Sequence, residues 1–437
     1  MNREILQLAI PSIITNISVP LLGLVDTYIA GHLSPYTLAS ISIGTAIISS
    51  LYWAFGFIRM STSGIAAQAY GKKDSKEMAN SLSRSLLFSF IAILLIFLIQ
   101  DELCELALKK IDNDLKEQVV DYIDICIWGA VPVLSLYAFK GWFIGLQNTV
   151  YPMLTSILMN MTNILLNFFF VYKLDMDIKG IALATVIAQY FALVVCIGLA
   201  FYKYRHLVKE LDWKETIKAE GLTRTLNITS ALFFRSLFLI AVTNFIPIAG
   251  AKEGVSIVAG NATLMLCFTL FSYFTDGFAY AGEAISGKYV GAQDYIHLKK
   301  AVRHLFIWGS SIALCFTFIY AVGAETLLSN FIKEKETITT SLPYIKWVVA
   351  IPLVGFAAFL WDGIMIGITK TTPMLIGTLA GAVVFFAIYY SCIAEWHNHA
   401  IWCAFLSYLA TRSLVQTIWW QQNNNKIIKT EEGTCEA

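Results

Sequence analysis

The stretch ILQLAIPSIITNISVPLLGLVDTYIAGHL, residues 5–33, decides the fold. It carries no charge from Ile5 to Val25, and a helix crosses a bilayer with about 20 apolar residues. Asp26 then interrupts the run. Moving outward, about twelve such segments follow one another, near 8–31, 38–66, 80–100, 119–147, 152–173, 179–203, 222–250, 256–283, 302–322, 341–369, 373–393 and 399–421. Charged residues make up 14% of the chain, where a soluble domain has about 25%. The fold class read from this is an all-α integral membrane protein, with the lipid bilayer as its partner. Lys and Arg (31) nearly balance Asp and Glu (30), which gives no reason to expect nucleic acid. The first segment has no small-residue cleavage site close behind it, so it reads as a retained helix and not a signal peptide.

Basic residues accumulate on the cytoplasmic side of membrane proteins. Eighteen fall on the side of Arg3, Lys72, Arg84 and the 203–225 connection; nine, including Lys109, Lys110 and Lys333, fall on the other. Arg59, Lys140, Arg235 and Arg412 lie within spans. Both termini are therefore expected in the cytoplasm.

The two halves repeat. AQAYGKKD (67–74) matches GKYVGAQD (287–294), with Gly71 and Gly291, and Asp74 and Asp294, each 220 residues apart. AVP (130–132) matches AIP (350–352) at the same offset, and IGLQNTVYPM (144–153) matches IGITKTTPM (366–374). Each half holds an even number of spans, so the copies share one orientation. Duplicated bundles around a midplane site are a build of secondary transporters. The expected domains are an N-lobe of helices 1–6 at 1–205, a cytoplasmic linker at 206–221, a C-lobe of helices 7–12 at 222–421, and a polar cytoplasmic tail at 422–437.

An acid at the bilayer centre costs roughly 2.5–3.5 kcal/mol on insertion scales, which makes Asp26 a functional-site candidate. Pro20, six residues earlier, has no N–H; it leaves the Asn16 carbonyl without its helical partner, so the helix can bend there as a gating kink. In PMLTSILMNMTNILLNFFFVY, Asn163 and Asn167 are four apart and share a face, with Asn160 close by. With Thr185 they form an ion-coupling set of neutral groups able to bond Asp26 in either protonation state. The same residues would also serve as polar glue between helices.

The second half carries other charges. Asp276 and Glu283 are seven apart on one helix, and Arg235 and Asp362 lie deep in other spans. Lys140 occupies the repeat position of Asp362. Arg235, Asp276, Glu283, Asp362 and Lys140 are expected to form a structural or gating charge network. Arg59 and Arg412 read as residues near helix ends whose heads reach the interface. Tyr52, Trp53, Phe55, Phe57, Trp142, Phe143, Phe271, Tyr273 and Phe274 would suit a cavity for flat cationic molecules, and singly each also fits a lipid-facing position. The eight scattered cysteines read as reduced packing residues, and HNH at 397–399 is too sparse for a metal. GxSxG, P-loop and HExxH motifs are absent. The chain thus reads as a transporter driven by an ion gradient, with no cofactor and no enzymatic reaction.

AIPSIITNISVPLLGLVDTYIAGHL (9–33), FGFIRMSTSGIAAQAYGKKD (55–74) and GLQNTVYPM (145–153) resemble the multidrug and toxic compound extrusion (MATE) transporters. LFFRSLFL (232–239), TDGFAYAGEAISGKYVGAQD (275–294) and WDGIMIGITKTTPM (361–374) are similar to its prokaryotic DinF-type branch. The resemblance implies twelve helices in two six-helix lobes forming a V. Such a protein, expected as a monomer, exports small organic cations or amphiphilic drugs in exchange for H+ or Na+. The family's cation site falls on Asp26, Asn163 and Thr185; its further acid falls at Asn167, an amide here. One carboxylate suits H+, whereas Na+ prefers more oxygen ligands and more negative charge. Asp362 matches an acid used by another branch, which leaves a second cation route open. The rival readings are a Na+-coupled antiporter of the same family, a flippase for a lipid-linked substrate, a membrane-embedded transferase and a passive channel.

Overall fold

The structure, a computed structural model, describes residues 1–108, 113–331 and 335–429. Lys109, Lys110 and Lys333 of the basic-residue count, Cys435, and residues 430–437 of the expected tail lie outside these. Among the described residues there are sixteen α-helices, two 3₁₀ turns and no strand. In chain order the helices are α1 (Asn2–Leu33), α2 (Pro35–Ala54), α3 (Phe57–Lys72), α4 (Ser75–Leu108), α5 (Asn113–Cys126), α6 (Ala130–Gly145), α7 (Val150–Tyr172) and α8 (Asp177–Val208). After them come α9 (Trp213–Thr216), α10 (Ala219–Ala251), α11 (Val255–Gly291), α12 (Tyr295–Phe331), α13 (Lys335–Ser341), α14 (Ile345–Gly367), α15 (Thr372–Trp396) and α16 (Asn398–Lys429). Eleven helical stretches among the described residues are long and apolar enough to cross a membrane. The twelfth expected span is α16, which carries Arg412, Gln416 and Thr417 in its middle.

Three expected spans are broken where hydrophobicity is continuous. The span at 38–66 divides at Phe55–Gly56, and the span at 119–147 passes through a 3₁₀ turn at Ile127–Gly129 before α6. The two breaks support each other. The Tyr52 hydroxyl, in the last turn of α2, donates to the Cys126 carbonyl at 2.6 Å. Pro132 cannot donate to the Trp128 carbonyl, which instead takes a bond from the Tyr190 hydroxyl at 3.3 Å. The third broken span holds a second 3₁₀ turn, Leu342–Tyr344, ahead of α14 and Pro352.

The sequence repeats are helix-ending turns. Lys73 and Gln293 both adopt φ of +58°. The next residue sends its N–H back to close the helix, Asp74 to Ala69 at 3.0 Å and Asp294 to Tyr289 at 2.9 Å. Each Asp carboxylate then caps the following helix through the N–H of Glu77 or His297. Gln147 (φ +61°) and Thr369 (φ +54°) end α6 and α14 in the same way.

Contacts divide the chain into two compact units. One spans Ile10–Thr229; the other joins Met1–Ala9 to Ser230–Ala437. In the first, α6 crosses α3 so closely that a side chain at Gly141 would overlap the Arg59 carbonyl, and one at Gly145 would come 2.8 Å from the Ser63 carbonyl. In the second, α14 crosses α11 through Gly363 against the Ala279 carbonyl and Gly367 against the Glu283 carbonyl. Small residues let helix backbones approach closely where lipid supplies no hydrophobic drive. The second unit's core is aromatic: Phe271, Phe385, Trp402, Phe405 and Tyr408 are all buried.

Candidate functional site

In the first unit, α1, α7 and α8 bring four expected residues into one chain of hydrogen bonds. Asn167 Nδ2 donates to Asp26 Oδ1 at 2.6 Å and to Asn163 Oδ1 at 3.0 Å. Asn163 Nδ2 donates to Thr185 Oγ1 at 3.0 Å, and the Thr185 hydroxyl reaches the Ile181 carbonyl at 3.1 Å. Asp26 is 7% exposed; Asn163 and Asn167 are fully buried. The four-residue spacing on α7 stacks both amides on one face, and α8 runs alongside to supply Thr185. Asn160, one turn earlier, is tied separately to α1, through the Ser18 carbonyl at 2.7 Å. Pro20 lies inside α1, which runs as a helix on both sides of it.

Among the described residues, nothing donates a hydrogen bond to the buried Asn167 Oδ1. Its own nitrogen serves two acceptors, so the amide meets the carboxylate with a donor while an acceptor lies idle beside it. An amide turned over would offer that oxygen to a carboxylic O–H. The arrangement can thus answer both protonation states of a single acid.

The second unit holds a cluster of a different kind. Asp362 on α14 accepts from Arg235 of α10 through Oδ2, from Arg412 of α16 at 2.6 Å through the same oxygen, and from Gln416 Nε2 at 2.9 Å through Oδ1. All four are buried. The Arg412 guanidinium also lies over the Tyr408 ring, 5.2 Å from its centroid, and the charge of Asp276 acts on it from α11. Glu283 is buried further along α11, where its carbonyl meets Gly367. The structure therefore brings Arg235 and Asp362 together, with Asp276 an electrostatic neighbour of Arg412. It places Lys140 elsewhere: in the first unit, its amine donates to Ser156 Oγ at 3.1 Å, with Arg59 and Cys196 as electrostatic neighbours.

Arg412 is not an interfacial residue, as its sequence context implied, but a second cation on Asp362. Gln416 is a further member that no charge marks in the sequence. The signal available was spacing: Tyr408, Arg412 and Gln416 stand four apart on one stripe of α16. Three of the aromatics lie in the packed interior, while Trp53 is 47% exposed, as a lipid-facing position would be. Trp142 and Phe143 are buried against Tyr204, with ring centroids 5.1 and 5.9 Å away, and Phe271 packs edge-on to Phe316. They form the cores of the units.

The MatE family model matches residues 11–169 and again 230–390, once in each half. The chain is 34% identical to DNA damage-inducible protein F of Escherichia coli K12 across 97% of this chain and 92% of that protein. Multidrug and toxin extrusion protein 1 of Homo sapiens is 25% identical over 75% of this chain and 56% of its own length. Among solved structures, an outward-facing multidrug resistance MATE family transporter of the MOP superfamily has a TM-score of 0.89 at 17% identity, covering 98% of this chain and 96% of that one. A MATE in the bent conformation has a TM-score of 0.88 at 18% identity, with the same coverage. The doubled family match, the long stretch of identity to the E. coli protein and the agreement in fold have one conclusion: the chain is a multi-pass membrane protein of the multidrug and toxic compound extrusion family, in its DinF-type branch.

Proposed function

We propose that the protein exports small organic cations or amphiphilic drugs from the cytoplasm, across the inner membrane, in exchange for H+ carried by Asp26. The observation that carries this reading is a buried carboxylate bonded to a neutral amide, Asn167, at 2.6 Å. Neutral partners let such a group gain and lose a proton without breaking an ion pair. Protonation turns Asp26 into a donor and calls the Asn167 oxygen toward it. That rotation removes the bond to Asn163 and loosens the link to Thr185. α1 is then free to bend at Pro20, and bound drug leaves. Loss of the proton to the cytoplasm restores the chain. Asp362 is held by two guanidinium groups, which favours a structural role over a second cation route. Both termini face the cytoplasm in this scheme, the linker lies there too, and one chain suffices.

Everted membrane vesicles test it. Ethidium added to energised vesicles should dissipate the pH gradient with the wild type. It should do nothing with Asp26→Asn present at equal amount in the membrane. Equal responses from the two would refute the proton-carrier role, and exchange that requires Na+ at a collapsed pH gradient would replace H+ by Na+.

A further inference from the structure

α1 and α10 each belong to both compact units: Met1–Ala9 groups with Ser230–Ala437, and α10 up to Thr229 groups with Ile10–Thr229. Both shared ends are held by side chains. Glu4 accepts from Lys288 Nζ at 2.6 Å and from the Tyr289 hydroxyl at 3.2 Å, while Asn2 Oδ1 lies 2.7 Å from His304 Nδ1. At the start of α10, Arg224 donates to Gln68 Oε1 at 2.7 Å. Gly221 lets the backbone approach Arg84 so closely that a Cβ would sit 2.6 Å from the guanidinium carbon. Arg84 is itself fixed by Glu77, at 2.8 and 3.1 Å, and by the Thr216 carbonyl at 3.3 Å.

These two clasps are copies. Glu4 and Arg224, Gln68 and Lys288, and Arg84 and His304 are each separated by 220 residues, the offset of the repeated turns. The positions are kept while the charges are not. In the first clasp the helix brings an acid to a base; in the second it brings a base to an amide. A cavity of about 230 Å³ beside the second clasp has four bases and four acids in its lining, a balance suited to holding the linker and not to drawing in a charged ligand.

Each clasped helix carries a group of the candidate sites, Asp26 on α1 and Arg235 on α10. We propose that Glu4 and Arg224 are positioning residues of the transport cycle, which pin the starts of α1 and α10 so that a change at Asp26 or Arg235 is transmitted along the helix to the other unit. This rests on the proton-carrier reading above. A pinned helix pulled at its far part flexes at its weak points, here Pro11 and Pro20, and does not slide. Unpinned, α1 would respond to protonation without moving the unit that its first turn belongs to.

The test uses the full chain in proteoliposomes, with ethidium as the probe and an imposed pH gradient. Glu4→Lys and Lys288→Glu should each lower turnover about tenfold, within the range of allosteric coupling energies. The ethidium KM should stay within about twofold of wild type, since binding itself is untouched. The charge-swapped double variant should recover most of the loss. If Glu4→Lys does not accumulate, Glu4→Gln with Tyr289→Phe carries the same expectation at nearly constant volume. Single variants with wild-type turnover would overturn the proposal, as would a double variant no better than either single. The underlying reading is judged separately: if Asp26→Asn exchanges as wild type, the proton carrier falls. An Asp26-dependent wild type beside a fully active Glu4→Lys removes the clasp alone.

Discussion

Asp26 and Asp362 are both buried acids on apolar helices, 7% and 8% exposed, yet they meet opposite surroundings. Asp26 meets an amide; Asp362 meets two guanidinium groups and an amide. Replacing a buried acid that pairs with two guanidinium groups leaves those cations uncompensated. Asp362→Asn should therefore cost about 3–5 kcal/mol, read as a large fall in the melting temperature in detergent. Arg412→Gln should cost clearly less, because Arg235 still pairs with the carboxylate. At the other acid, Asn167→Asp would set a second carboxylate 2.6 Å from the first and build the oxygen-rich, more negative site that suits Na+. Added Na+ should then stimulate ethidium efflux by the variant and leave the wild type unchanged. The Asp26 chain was legible in the sequence because an acid in an apolar run and amides four apart each have few explanations. Arg412 was not. One basic residue in an apolar helix says nothing of its depth, and its partner lies 50 positions away on another helix.

At the scale of elements, apolar length reads well and breaks within a span read poorly. The turns at Phe55–Gly56, Ile127–Gly129 and Leu342–Tyr344 leave hydrophobicity uninterrupted, so nothing in the apolar pattern marks them. What marks them is the fate of single carbonyls, such as Cys126 and Trp128, which depends on tyrosines of other helices. The repeated motifs were legible as repeats, but their cause is conformational. Lys73 and Gln293 are exposed L-residues held in the left-handed region, which costs about 1–2 kcal/mol each. Glycine removes that cost but adds chain entropy to the unfolded state, so Lys73→Gly and Gln293→Gly should each gain about 0.5 kcal/mol net. The two gains should be alike, since the turns are copies, and a thermal melt of each variant checks both sign and equality. The helix crossings are less forgiving. Gly363→Ala drives a methyl into the Ala279 carbonyl and should cost about 1–3 kcal/mol, seen as reduced folded yield.

At the scale of the whole molecule, the count of basic residues fixes an orientation only if the residues grouped together lie at one end of their helices. Within the first unit they do. The Trp142 indole at the end of α6 donates to the Met78 carbonyl in the first turn of α4, and its ring meets Tyr204 near the end of α8. Lys203 stands over the Tyr151 ring at the start of α7, and Asn148 donates to the Tyr204 hydroxyl. The helix ends near Lys72, Lys76, Asn148 and Lys203 thus share one side, and the turn at Lys173–Met176 joins the opposite ends of α7 and α8. Positive charge is retained on the cytoplasmic face during insertion. Alkaline phosphatase, active only outside the cytoplasm, should therefore be active when fused after Asp175 and inactive when fused after Asn148. The reverse pattern would turn the first unit over and put its basic helix ends on the outer face.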